Sequence, residues 1–193
     1  VQMIWSREED MRAGRYRPMA AMRFKAGFDL EKNLIAYSNH SVTHSLAADR
    51  DTDWDRNKVD HSSVEGLVDM PYSVANKKIT HTARNTHLTS WWWRSVGHSQ
   101  NAYAMECFVD EMAVASKMDP FAFRRKHLQG NDALLEVLDV LERESGWGRR
   151  KLKRGTAMGL ALHESFGTIC GQVAEVTVTA TGKLKIERIV AVV

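Results

Sequence analysis

The sequence predicts an α+β fold, with mixed or antiparallel sheets packed against helices. Apolar residues recur at every second position towards both ends of the chain, and at every third or fourth position over residues 101–141. Capping and turn residues mark the boundaries of the helical segments, as at Asp119-Pro120, Asn131-Asp132 and Gly146. The 193 residues are 44% hydrophobic and 26% charged, enough to bury a core and unlike a disordered chain. A net charge of +3 is well short of a dedicated nucleic-acid binder. Only two cysteines, Cys107 and Cys170, are present, which excludes a disulfide scaffold and any four-cysteine metal cage. No apolar run approaches the roughly 18 residues of a membrane-spanning helix.

Residues 1–5 read as a short strand. Ser6 with Glu9 matches a capping box for a brief helix to about Met11. A loop over 13–18 leads to a half-buried strand over 21–28, where Met22, Phe24, Ala26 and Phe28 alternate with Arg23 and Lys25. A polar turn at 31–33 returns the chain as a hairpin arm over 34–43. Residues 48–62 are polar and without period, which predicts a surface loop. A further strand is expected over 78–87. Met105, Phe108, Met112 and Ala115 mark a helix over 101–117. Asp119 and Pro120 start a second helix, to about Leu128. Asn131 or Asp132 caps a third, with Leu134, Leu135, Val137, Leu138 and Leu141 inside, ending before Gly146. A cationic linker over 149–154 precedes strands over 159–166, 173–179 and 184–192, with a turn at Thr181-Gly182. A chain that opens and closes on apolar strands is expected to be excised from something larger.

The chemistry-bearing residues are few. His40 and His44 lie in a strand, where a spacing of four places nothing together. His163-Glu164 has half of a zinc-protease motif, but Gly167 stands where the second histidine would be, so no metal site is expected. Neither cysteine has a partner set for a thiol nucleophile, and no glycine-rich phosphate loop is present. Asn39-His40-Ser41 matches a glycosylation acceptor, a pattern common by chance. Trp91, Trp92 and Trp93 form the sharpest feature, since three consecutive rings cannot face one side of a regular element. They lead to a helix N-terminus, whose free N–H groups can cradle an anion or cofactor. Core packing of the rings is the simpler alternative. Aromatics near the basic run 149–154 would also suit single-stranded nucleic acid, although a short run between helix and strand reads better as a solvated linker.

Residues 93–110, W-R-S-V-G-H-S-Q-N-A-Y-A-M-E-C-F-V-D, resemble the loop of the molybdenum hydroxylases of the xanthine dehydrogenase and aldehyde oxidase family. That loop reads aromatic-Arg-Gly-aromatic-Gly-x-x-Gln with a Glu six residues after the Gln, and Gln100 and Glu106 keep the spacing. Three further stretches agree in order. Residues 5–11 are similar to an Arg-x-Glu-Asp-Met segment, 70–76 to a Tyr-x-x-x-Asn turn, and 155–178 to the glycine-led strand and hairpin opening the family's last domain. The tryptophan-arginine form and A-L-H-E-S-F-G resemble most the beta subunits of isoquinoline 1-oxidoreductases and related membrane-linked aldehyde dehydrogenases.

The resemblance implies a bacterial enzyme that hydroxylates an aldehyde or N-heteroaromatic carbon with water-derived oxygen at a molybdenum–molybdopterin cofactor. It implies 2Fe–2S clusters on a ferredoxin-like small subunit, with cytochrome c as a further acceptor. Other partners would be the rest of the large subunit and no nucleic acid, in the periplasm or the cytoplasm. Carried over by position, Trp93, Arg94 and Gln100 would bind the cofactor, and Val96, Leu162 and His163 the substrate. No catalytic base or metal ligand falls in the chain; the family's glutamate base would lie beyond Val193, so the chain alone is expected to be inactive. The family's frequent glycine is here Ser95, and an arginine that orients purines would fall near Gly66, which speaks against purine hydroxylation. Residues 1–148 would belong to a first cofactor-binding domain, 149–154 to a linker and 155–193 to the start of a second. The alternatives are an interaction module that binds single-stranded nucleic acid, or a packing fragment that dimerises.

Overall fold

A computed structural model describes every residue except Thr52 and Arg56. Helix α1 (Arg7–Ala13) starts on Ser6, whose hydroxyl accepts from the Glu9 N–H while the Glu9 carboxylate takes the Ser6 N–H, the predicted capping box. Strands β1 (Ala20–Phe28) and β2 (Leu34–Thr43) form the expected hairpin, bulged at Gly27 and Phe28. Asp29 closes its turn by accepting from the Asn33 N–H at 2.7 Å. β3 (Asn76–Ala83) then pairs with β2 in parallel, giving the order β1-β2-β3.

Two expectations fail in this half. Residues 1–5 form no strand and are exposed; no strand edge among the described residues pairs with them. The predicted loop over 48–62 overlaps two short helices, α2 (Leu46–Arg50) and α3 (His61–Val64), while Thr52 and Arg56 lie outside the described residues. Asp60 organises this crossover. Its carboxylate accepts from Ser45 Oγ at 2.8 Å, the Ala47 N–H at 3.0 Å and Ser62 Oγ at 2.6 Å. Burial works against the Asp60 charge, but these bonds outweigh it and hold its carboxyl below the usual range. A knot made of side-chain bonds has no hydrophobic period to betray it.

The helical segment follows its sequence signals closely. α4 (His98–Ala115) starts three residues earlier than expected. α5 (Pro120–His127) is capped by Asp119, and α6 (Asp132–Ser145) runs from Asn131 to Gly146, which takes the left-handed conformation at φ 70°. Strands β4 (Thr156–Ser165), β5 (Thr168–Val178) and β6 (Leu184–Val192) form an antiparallel meander. One core joins Tyr37 of β2, Met105 and Val109 of α4, Phe121 of α5, Leu138 of α6, Leu162 of β4 and Val173 of β5. Each such side chain contributes about 1.5–3 kcal/mol on burial. Residues on both sides of the expected 149–154 linker therefore share a single core. α4 lies against both sheets, and its N-terminus meets β4 where the candidate site forms.

Candidate active site

The tryptophan segment is pinned beside the stretch before β1. Tyr16 and Ser90 form an isolated parallel bridge, with the Trp91 N–H donating to the Tyr16 carbonyl at 3.0 Å. Trp93 Nε1 donates to the Arg15 carbonyl at 2.8 Å. The Arg15 guanidinium lies 4.4 Å from the Trp91 ring and that of Arg50 5.6 Å from Trp92. The three rings are half-buried and turned to different neighbours, and two of them face arginines of their own chain.

Beyond Trp93 the backbone turns sharply. Ser95 and Val96 both hold positive φ, at 67° and 45°, which costs about 1–3 kcal/mol at each non-glycine residue. Arg17 clamps this turn, donating from Nη2 to the Arg94 carbonyl at 3.0 Å and from Nη1 to the Val96 carbonyl at 3.1 Å. The Ser95 and Ser99 hydroxyls bond each other across it. Among the described residues, the Arg94 and Ser95 N–H groups donate to no acceptor. Gly97 follows, and a Cβ there would stand 2.3 Å from the Ser62 carbonyl, so only glycine lets the turn close against α3. Gln100, on the first turn of α4, has a buried Oε1 with no hydrogen-bond partner.

A second feature opens beside this helix start. His98 Nδ1 and His163 Nε2 are 2.9 Å apart, bringing the α4 N-terminus against β4. Glu65 Oε2 lies 3.7 Å from His98 Nε2, and Glu65 Oε1 accepts from the Gly97 N–H at 2.7 Å. Burial, then the neighbouring His98, push the His163 imidazole below the usual histidine range, leaving it uncharged near neutrality. Gly66 fits below the pair at φ 80°, where a Cβ would stand 3.1 Å from each ring. Gly66, His98 and His163 border a cleft of about 240 Å³.

Of the sequence-predicted residues, Trp93, Arg94, Val96 and Gln100 thus sit on one turn and helix start, and His163 meets that helix through His98. The Leu162 side chain points elsewhere. It is fully buried in the core, and its N–H donates to Glu106 Oε2 at 2.7 Å. Glu106 also accepts from Tyr72 Oη at 2.7 Å and from Arg124 Nη2 at 3.0 Å. Burial pushes the Glu106 carboxyl up, while Arg124 and the Leu162 and Tyr72 donors pull it down. Burial outweighs these donors, so the Glu106 carboxyl lies above the usual carboxylate range. Sequence reasoning missed Arg17, Glu65, His98 and Arg124. Only Glu106 carried a signal, its distance from Gln100.

Comparison with known proteins places this geometry. Residues 1–128 match the family model described as the molybdopterin cofactor-binding domain. The chain belongs to this family. It is 26% identical over 180 residues to the beta subunit of isoquinoline 1-oxidoreductase from Brevundimonas diminuta, covering 84% of this chain and 21% of the relative. It is 28% identical over 184 residues to a membrane-bound aldehyde dehydrogenase (pyrroloquinoline-quinone) from Gluconacetobacter polyoxogenes, covering 83% and 24%. The fold matches quinoline 2-oxidoreductase from Pseudomonas putida 86 with a TM-score of 0.60 at 18% identity, over 95% of this chain and 28% of that one. The chain spans about a quarter or less of the length of these curated relatives. As a molybdopterin-binding domain it has a suitable donor and acceptor set: the unbonded N–H groups of Arg94 and Ser95, and the orphaned acceptor of Gln100. An orphaned buried acceptor is costly unless a ligand or water completes it. The residues present therefore fit the group.

Proposed function

We propose that this chain forms one wall of the cofactor and substrate site of a larger molybdenum hydroxylase, which oxidises an aldehyde or an N-heteroaromatic carbon with oxygen from water. The Arg17-clamped turn supports this reading most directly: it holds strained backbone and leaves donors unused at a helix start. Trp93 and Arg94 would hold the molybdenum–molybdopterin group from the turn, and Gln100 from the helix. The bound group would supply the oxygen transfer and accept the electrons. The chain's own share is orientation and exclusion of water. Val96 and His163 would border the substrate. Leu162 would act from the core, its N–H fixing β4 against Glu106. In this reading the proton-abstracting base comes from another segment of the larger protein. A ferredoxin-like subunit carrying 2Fe–2S clusters, and a carrier such as cytochrome c, would be the partners that take the electrons.

The test is expression of the full-length protein with its partner subunit. Molybdenum and pterin should co-purify, with oxidation of isoquinoline or benzaldehyde. Gln100→Leu should lower molybdenum content by more than half while the circular dichroism spectrum stays unchanged. A full-length protein that carries no molybdenum and oxidises neither compound overturns the reading.

A further inference from the structure

The cleft beside His98 and His163 has an unusual wall. Ser165 pairs with Thr168, so Phe166 and Gly167 form a two-residue turn with φ of 52° and 75°. Asn-Gly or Asp-Gly is the unstrained choice for such a turn. Here the first position is a phenylalanine, 71% exposed, with its ring 5.4 Å from that of His98 at the cleft. Strained backbone clusters at ligand sites, and exposed apolar surface at a cavity fits such a site. Charge is the second observation. Asp69 and Glu164 line the cleft, and among the described residues no lysine or arginine does. Glu65 adds a third carboxylate behind His98, and His163 stays uncharged near neutrality.

We propose that Phe166, Asp69 and Glu164 make this cleft select flat aromatic rings that are uncharged or cationic, and reject rings that carry a carboxylate. The ring lies against Phe166, and the paired imidazoles form the floor. Two carboxylates within several ångströms of a bound ligand shift the preference between cation and anion by about tenfold at low salt. This rests on taking the cleft as the substrate side of the site, but ring binding can be read without molybdenum.

The probes are N-methylisoquinolinium, isoquinoline and isoquinoline-3-carboxylate, each titrated against the full-length protein in its cofactor-free form by calorimetry. The cation and the neutral ring should bind about tenfold more tightly than the carboxylate, and the gap should narrow in high salt. Asp69→Asn keeps the acceptor for the Gly66 N–H, and Glu164→Gln alters an exposed residue. Together they should bring the three affinities within about threefold. Phe166→Asn should weaken all three rings while raising the melting temperature, because the turn is relieved. The proposal falls if the carboxylate binds as tightly as the cation, if the preference persists in the double charge variant, or if Phe166→Asn leaves ring affinity unchanged. Loss of molybdenum with this selectivity intact would count against the enzyme reading alone.

Discussion

Glu106 and Arg124 are 3% and 0% exposed, and neither could be buried without the other. Burial works against the guanidinium charge, and Glu106, Tyr72 and Asp110 outweigh it, so the Arg124 pKa is raised. Among the described residues, Glu106→Gln leaves Arg124 with only Asp110, at 2.6 Å, as an ionic partner. It should cost about 3–5 kcal/mol in urea denaturation. Tyr72→Phe removes one bond to the carboxylate and should cost about 1–2 kcal/mol in the same measurement. The sequence singled out Glu106 by its distance from Gln100, but Arg124 sits in F-R-R-K-H among other cations, where nothing distinguishes a buried guanidinium from a solvated one. Burial is a property of the fold around a residue, so such partners stay hidden in a linear reading.

Caps behave differently, because their partners are two or three residues away. Asp119 Oδ1 accepts from the Phe121 and Ala122 N–H groups at 2.9 and 3.2 Å, and Oδ2 from Trp147 Nε1 at 2.7 Å. Asp119→Ala should therefore destabilise the protein by about 1–2 kcal/mol. Ser6→Ala removes an equally well-formed cap from α1, a helix with no buried residue. Its effect on the global unfolding midpoint should be undetectable, since α1 can fray without loss of the core. All three main helices were legible for this reason, and so were the β1–β2 hairpin and the Thr181-Gly182 turn, but not the tight Phe166-Gly167 turn, since β5 starts at Thr168 and not at Val173. The parallel pairing of β2 with β3 was not. Its crossover is organised by the Asp60 bonds, which leave no repeating pattern.

Over the full chain, three histidines lie together in their response to acid. Burial is the first cause that lowers His81, His127 and His163 below the ordinary histidine pKa of about 6.5. The unfolded chain therefore binds more protons than the native one once the pH falls below that value. Stability should be constant above about pH 7 and decline as the pH drops through 6.5 towards the lower native values, before most carboxylates titrate. Melting temperatures across this range check the sign, and His81→Asn with His163→Asn should flatten the slope.

The candidate cleft depends on contacts between residues 65 positions apart, which no motif could reveal. Its two histidines ride on different elements, α4 and β4, and the Glu106–Leu162 bond rivets those elements together one residue short of His163. That rivet works as a spacer gauge: slackening it would misalign the imidazoles and the turn above them while the rest of the body still stood. A mild lesion at Glu106 would then surface first as poorer ligand fit, and only at higher temperature as collapse.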